Sequence, residues 1–172
     1  VAARVQQALQ PGAHVVVVVS ALGRAGDAYA TDTLLGLLDE PVPTDGRERD
    51  LLAACGEIIS AVVLAHTLRA HDVPAVALTG WEAGIVTDDN FGNARVLKVR
   101  PAEIVHQLQQ GRVAVVAGFQ GATEDGRVTT LGRGGSDTTA AVLGAALGAE
   151  RVDIFTDVPG VYTADPRLVE DA

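Results

Sequence analysis

Hydrophobic positions along the chain form short β-branched runs that alternate with longer stretches of helical periodicity. Val15–Val19 is an unbroken run of valines, typical of a parallel strand that is buried on both faces. The pattern predicts helices over 1–9, 31–38, 47–70, 101–109 and 137–147, and strands over 15–19, 74–78, 94–99, 113–117 and 151–156. Because strands and helices alternate, we predict an α/β fold with a mainly parallel sheet sandwiched by helices.

Polar and small residues follow several of the predicted strands. They are Ser20, Thr79–Gly80, 118–121 and Thr156–Asp157. Ligands bind at the carboxyl ends of the strands in open parallel sheets. We therefore predict one composite site at this edge, which the glycine-rich segment 132–137 should join. Elsewhere, Asp125–Gly126 predicts a hairpin turn before Val128.

The segment Gly132-Arg133-Gly134-Gly135-Ser136-Asp137 combines three glycines with a predicted helix start. Bare backbone N–H groups at a helix N-terminus bind anions, and glycine lets the backbone approach closely. The planar guanidinium of Arg133 can bind a carboxylate through two parallel hydrogen bonds. The alternative is an ordinary surface arginine. Ser136 and Asp137 have the alternative role of helix caps. The Walker and dinucleotide glycine motifs are absent, which disfavours P-loop and Rossmann folds.

Two candidates lie on predicted helices. Thr31 is either a hydroxyl donor in the site or an ordinary N-cap. Glu57 lies in an apolar helix with Ser60 one turn away on the same face. Since a buried carboxylate is costly unless it is paired, Glu57 should orient an active-site group, contact a substrate ammonium or form a structural ion pair.

The last predicted strand is followed by a second group of candidates. Asp157 precedes a Pro-Gly turn, where a carboxylate would face a bound nucleotide or its metal. Tyr162 and Arg167 follow in a loop suited to flank an adenine or a phosphate, with a plain turn and a surface arginine as the alternative. Asp88 and Asp89 favour a solvated turn over a metal site.

Composition bounds the class of protein. The 172 residues are 48% hydrophobic, which favours a single globular domain with a full core. The net charge of −9 argues against a general nucleic-acid or membrane surface. We expect neither a membrane span nor a signal peptide, and therefore a cytoplasmic protein. The single cysteine excludes a disulfide within the chain.

Ordered segments over almost the whole chain resemble the catalytic domain of aspartate kinases, members of the amino-acid kinase family. The segments are Val18–Ala21, Ala30–Leu35, Cys55–Ser60, Leu78–Gly84, Thr87–Ala94, Ala117–Gly121, Thr129–Ala140 and Phe155–Arg167. The resemblance implies the carbamate kinase-like fold. It also implies ATP- and Mg²⁺-dependent phosphorylation of the β-carboxylate of L-aspartate, the first step toward lysine, threonine and methionine.

The resemblance also implies roles for individual residues. Arg133 would hold the α-carboxylate of aspartate, with Ser20, Thr31, Glu57, Phe119 and Ser136 shaping the pocket. Arg133, Ser136 and Asp137 would be the catalytic residues, and no protein metal ligand is assigned. The nucleotide side would comprise Thr156, Asp157, Tyr162, Asp165 and Arg167.

Some parts of the family pattern have no counterpart here. The opening strand with its Lys-Phe-Gly-Gly-Thr motif is missing, and Lys98, the only lysine, lies in no such context. We expect 1–172 to be one incomplete kinase domain, inactive alone, without the end of that domain or the ACT-type domains that bind a feedback amino acid. A homo-oligomer is expected. The alternatives are a non-catalytic amino-acid- or nucleotide-binding module, or an acetylglutamate or glutamate kinase.

Overall fold

A computed structural model describes residues 1–24, 26–38, 43 and 45–155. The helices are α1 (Ala2–Ala8), α2 (Thr31–Leu35), α3 (Gly46–Ala53), α4 (Cys55–Ala70), α5 (Ala102–Gln109) and α6 (Gly135–Leu147). The strands are β1 (Val16–Val19), β2 (Ala75–Leu78), β3 (Ile85–Thr87), β4 (Val96–Val99), β5 (Val113–Ala117), β6 (Gln120–Ala122) and β7 (Val128–Thr130). Most predicted elements are present, with bounds that differ by at most three residues.

A parallel sheet in the order β1-β5-β2 forms the centre of the described part of the chain. Helix α4 packs on one face of this sheet, and α5 and α6 pack on the other. This arrangement confirms the predicted α/β fold with helices on both sides. The valine run of β1 is only half-buried, however, because β5 takes the central place and is buried throughout.

Successive residues of β5 face opposite sides of the sheet, as the pleat of a strand requires. Val113 and Val115 pack with Leu68 of α4, in a core cluster that also contains Val5 of α1. Ala114 and Val116 face the other way, toward the side chains Ile104 of α5 and Leu143 of α6. The two apolar layers hold β5 rigidly, and so fix the position of the chain where β5 ends.

A second, mixed sheet has the order β4-β3-β6-β7. Strands β6 and β7 are antiparallel and are joined by the predicted turn at Asp125–Gly126, which is thereby confirmed. Strands β3 and β6 were missed because three residues are too few to show a period, and β6 contains Gly121. Helix α3 packs against β7.

Three predicted elements differ in the structure. The helix over 47–70 is two helices that meet at Ala54, whose carbonyl accepts a hydrogen bond from Gln120 Nε2 at 2.9 Å and so competes with the regular helical bond. Helix α2 ends at Leu35 rather than at 38. Residues 151–155, the described part of the strand predicted over 151–156, do not form a strand; they are exposed and pair with no described strand.

Gly46–Ala70, which comprises α3 and α4, is the one helical stretch of the described residues that is long and apolar enough to cross a membrane; a window of 18 residues within it has a mean hydropathy of 1.9. Length and composition alone do not overturn the expectation of no membrane span. Half of this window is buried within the protein. A core helix passes the same test, and the packing of α4 on the parallel sheet identifies it as one.

Candidate functional site

A cavity of about 320 Å³ opens where β1 and β5 end. Its walls are Ser20, Thr31, Glu57, Phe119 and the segment Gly132–Asp137. The structure thus brings together around one cavity all six residues that were predicted to bind substrate, together with Asp137. Their roles toward a ligand stay predictions.

The glycine-rich segment forms a tight turn that leads into α6. Gly132 and Gly134 both have φ of +74°, a left-handed conformation that favours glycine. Arg133 lies exposed between them at the rim of the cavity. Because N–H groups in the first turn of a helix have no intrahelical acceptor, the α6 N-terminus presents donors to an anion there.

The capping alternatives were wrong at both helix starts that border the cavity. Helix α6 begins at Gly135, with Gly134 as N-cap, so Ser136 and Asp137 lie inside the first turn. Helix α2 has Ala30 as its N-cap and Thr31 as its first residue. Neither helix has a side-chain cap hydrogen bond. Glycine at the α6 N-cap leaves the serine and aspartate side chains to line the cavity.

Phe119 lines the cavity in an unusual backbone conformation, with φ of +67°. Two hydrogen bonds hold it there: its N–H donates to Thr139 Oγ1 at 3.1 Å, and its carbonyl accepts from the Leu131 N–H at 2.8 Å. A Cβ at Gly135 would lie 2.7 Å from Phe119 Cδ2, so only glycine permits this approach. A bulky residue with positive φ stores strain and marks a site where the surroundings enforce the geometry.

Glu57 is a buried carboxylate at the floor of the cavity, only 4% exposed. Its Oε1 accepts a hydrogen bond from the Ala21 N–H at 3.1 Å, whereas Oε2 is buried and has no protein partner. Burial raises the pKa of Glu57 to about 7, against the opposing effect of backbone hydrogen bonds. The structure contains no ion pair for it among the described residues, so a purely structural ion pair is not its role there. The carboxylate instead lacks a donor, which a ligand in the cavity would provide.

A second cavity of about 490 Å³ adjoins the first and shares Ser20, Thr31 and Glu57 with it. Arg24 and Asp32 line its outer part. Neither of these two charged residues was singled out from the sequence. The two cavities adjoin at the end of β1.

Some predicted members of the composite site are elsewhere. Thr79 pairs with Glu82, and Gly80 packs against the Gln120 backbone, so neither lines the cavity. The reason is the strand order, which places β2 beyond β5 from the cavity. Asp88 accepts hydrogen bonds from the backbone of its own loop and forms a turn, as predicted. The nucleotide-side residues Thr156, Asp157, Tyr162, Asp165 and Arg167 lie outside the described residues.

Sequence reasoning missed Asp50, which is buried beside the glycine-rich segment. Its neighbours Arg47, Glu48 and Arg49 are charged, so the sequence around Asp50 indicates a solvated helix start and not a buried carboxylate. Thr139 was missed as well, since a threonine inside a helix carries no distinct signal.

Comparison with known proteins agrees with this geometry. The model of the amino acid kinase family matches residues 1–172. The chain belongs to the amino acid kinase family. Aspartokinase 1 of Bacillus subtilis (strain 168) is 55% identical over 169 residues, which are 98% of this chain and 42% of that protein.

Two solved aspartate kinases share the fold. The enzyme from Synechocystis has a TM-score of 0.75 at 45% identity, covering 98% of this chain and 27% of that one. Aspartokinase III of E. coli, solved in complex with aspartate and ADP in the R-state, has a TM-score of 0.67 at 40% identity, covering 75% and 30% respectively. The chain therefore spans less than half the length of each of these amino acid kinases.

Proposed function

We propose that the complete gene product, meaning the translation of the whole reading frame that contains these residues, is an aspartate kinase. It transfers the γ-phosphoryl group of ATP to the β-carboxylate of L-aspartate and forms aspartyl β-phosphate and ADP. The aspartokinase relatives, and the aspartate and ADP bound in the E. coli structure, support this proposal.

The observation that carries the proposal is the distribution of charge around the cavity. Arg133 and the N-terminus of α6 offer positive charge and donors at one wall. Glu57 offers a buried oxygen without a partner at another. A zwitterionic amino acid satisfies both walls at once, because its α-carboxylate pairs with Arg133 and its α-ammonium with Glu57.

The remaining walls orient the side chain of the substrate. Ser20, Thr31 and Ser136 supply hydroxyl groups, and Phe119 closes the cavity with an apolar surface. Asp137 lies in the first turn of α6 and also lines the cavity. Together with Arg133 and Ser136 it borders the reacting groups. A cavity of about 320 Å³ suits a small amino acid.

Phosphoryl transfer depends on positioning and on charge neutralisation more than on covalent catalysis. A β-carboxylate oxygen of the substrate attacks the γ-phosphorus, the bond to the bridging oxygen breaks, and ADP leaves. The attacking group is already ionised at neutral pH, so no general base is needed. We infer that Mg²⁺ arrives with ATP and neutralises phosphate charge; among the described residues no cluster of three His, Cys, Asp or Glu side chains would hold a metal by itself.

Among the described residues, no lysine lines either cavity. Lys98 lies on β4 in an ion pair with Glu124, away from the cavity. This position favours the alternative that the 172 residues alone bind an amino acid without turning it over. We accordingly retain the prediction that 1–172 is an incomplete domain and is inactive by itself.

Measurement of ADP release from Mg-ATP by the complete gene product tests substrate identity. We expect turnover with L-aspartate and little with N-acetyl-L-glutamate, whose acylated nitrogen carries no charge for Glu57. L-Glutamate should react poorly because its side chain is one methylene longer. Preference for either of these substrates would identify a different amino acid kinase, and binding of aspartate without ADP release would identify a binding module.

Three further predictions belong to the same proposal. The complete gene product should be a cytoplasmic enzyme and a homo-oligomer, with no nucleic-acid or membrane partner. A feedback amino acid should act on regulatory segments that lie outside this chain. Size-exclusion chromatography with light scattering, and inhibition assays with lysine and threonine, test the last two points.

A further inference from the structure

Asp50 is a buried carboxylate for which the proposed reaction has no use. It lies on α3, is 2% exposed, and lines neither cavity. Its Oδ2 accepts hydrogen bonds from the N–H groups of Thr130 at 2.7 Å and Gly92 at 2.9 Å, and its Oδ1 accepts from Thr130 Oγ1 at 3.0 Å. Both oxygens are therefore occupied, each by neutral donors.

The two segments that Asp50 binds meet at the glycine-rich turn. Thr130 is the last residue of β7 and precedes Leu131 and Gly132. Gly92 and Asn93 touch the same turn from outside: a Cβ at Gly132 would lie 2.7 Å from Asn93 Oδ1 and 3.4 Å from the Gly92 carbonyl. Asp50 thus fixes both the chain that enters the turn and the loop that packs against it.

The next residues connect this anchor to the cavity. The Leu131 N–H donates to the carbonyl of Phe119, and Arg133 follows Gly132 directly. Hydrogen bonds to a charged acceptor are stronger than neutral ones, and a fully satisfied buried network is rigid. The Asp50–Thr130 pair is therefore a rigid, charge-assisted anchor just before the segment that carries Arg133.

We propose that Asp50 is a positioning residue. It holds the glycine-rich turn in the place where Arg133 and the start of α6 face the substrate carboxylate. This inference rests on the proposed function. It predicts that loss of the Asp50–Thr130 bonds lowers kcat/KM for aspartate, since a misplacement of about 1 Å at a positioning group costs as much as about 100-fold.

Four single variants of the complete gene product test this role. Asp50→Ala removes all three bonds, and Thr130→Val removes only the hydroxyl bond at nearly constant shape. Asp50→Asn keeps the geometry, because the amide oxygen accepts from both N–H groups and the amide nitrogen donates to the Thr130 hydroxyl. Thr129→Val is the matched control: Thr129 is the buried neighbour on β7, and its hydroxyl bonds to Thr87 instead of Asp50.

We expect Asp50→Ala to lower kcat/KM for aspartate by about 100-fold and Thr130→Val by about tenfold, mainly through KM. Asp50→Asn and Thr129→Val should stay within about threefold of wild type, although Thr129→Val should lower Tm as much as Thr130→Val does. A Thr129→Val enzyme as impaired as Thr130→Val would overturn the proposal, because the loss would then follow stability alone. Should Asp50→Ala fail to fold, the threonine pair and Asp50→Asn still decide the question.

A double-mutant cycle with Arg133→Lys tests whether Asp50 acts through Arg133. In the Arg133→Lys background, Thr130→Val should lower kcat/KM by less than about twofold, because the guanidinium that it displaces is already gone. Full additivity would refute the proposed route. If Arg133→Lys alone leaves aspartate kinetics unchanged, the proposed role of Arg133 fails instead, so the two failures are distinguishable.

Discussion

The effect of Glu57→Gln on the free energy of unfolding can be calculated directly from the structure. The side chain is 4% exposed, and one of its oxygens has no partner. Burial raises its pKa from the ordinary 4.5 to about 7. Without a ligand, the folded protein therefore holds an ionised group at a position that favours the neutral form. The amide of glutamine has nearly the same shape and never ionises.

The direction of the pH effect follows from the raised pKa. The folded protein tolerates protonated Glu57 better than ionised Glu57. The resulting contribution to the free energy of unfolding is fully present below about pH 4.5 and is lost as the pH rises to about 7. At about 1.4 kcal/mol per pH unit, the whole difference is about 3 kcal/mol. Of this contribution to the free energy of unfolding, about 2 kcal/mol is lost between about pH 5.5 and pH 8.

Urea unfolding of the complete gene product at a series of pH values measures this effect. At each pH, the free energy of unfolding of Glu57→Gln is compared with that of wild type, so that other titrating groups cancel. We expect the variant to gain about 2 kcal/mol over wild type between about pH 5.5 and pH 8. Saturating L-aspartate should reduce this gain, because its ammonium group would compensate the Glu57 charge.

The same substitution on an exposed glutamate provides the control. Glu48 lies in the first turn of α3 and faces solvent, so Glu48→Gln should give pH curves parallel to those of wild type. Parallel curves for Glu57→Gln as well would refute the reasoning. They would mean that Glu57 ionises in the fold without penalty and has a donor that the described geometry lacks.

Three further substitutions test the cavity wall and the core. Thr139→Val removes the acceptor for the Phe119 N–H, so we expect the KM for aspartate to rise about tenfold, with Thr139→Ser restoring it; equal kinetics for both variants would contradict this. Gly135→Ala places a Cβ against the Phe119 ring and backbone, so isothermal titration should show aspartate binding weakened at least tenfold, and unchanged affinity would mean that the ring yields. Leu68→Ala leaves a cavity in a fully buried layer and should lower the free energy of unfolding by about 3 kcal/mol in urea titrations, whereas a loss below about 1 kcal/mol would indicate that the layer collapses around the gap.

Much of the fold could be predicted because long periodic segments determine their own structure. The valines of β1 and the alternation of β5 between two apolar layers were readable from the sequence alone. The second sheet was not, since three-residue strands such as β3 depend on partners that are distant in the chain. The break between α3 and α4 at Ala54 likewise involves a hydrogen bond from Gln120, which lies 66 residues away.

The walls of the cavity were predictable for a different reason. Glycines at 132 and 134 permit the left-handed turn that brings Arg133 and Ser136 to the cavity, and the carboxyl ends of parallel strands converge. Asp50 escaped notice because its function lies in hydrogen bonds to backbone groups, and any sequence offers those groups everywhere. The left-handed conformation of Phe119 also depends on tertiary bonds and has no signature in the sequence.

Formation of aspartyl phosphate is the most direct test of the central claim that this cavity binds aspartate for phosphorylation. The complete gene product is incubated with L-aspartate and Mg-ATP, and the acyl phosphate is trapped with hydroxylamine as the hydroxamate. We predict hydroxamate formation by the wild-type protein and its loss, by at least about 100-fold, in Arg133→Ala. A folded wild-type protein that forms no hydroxamate, or an Arg133→Ala protein as active as wild type, would contradict the account.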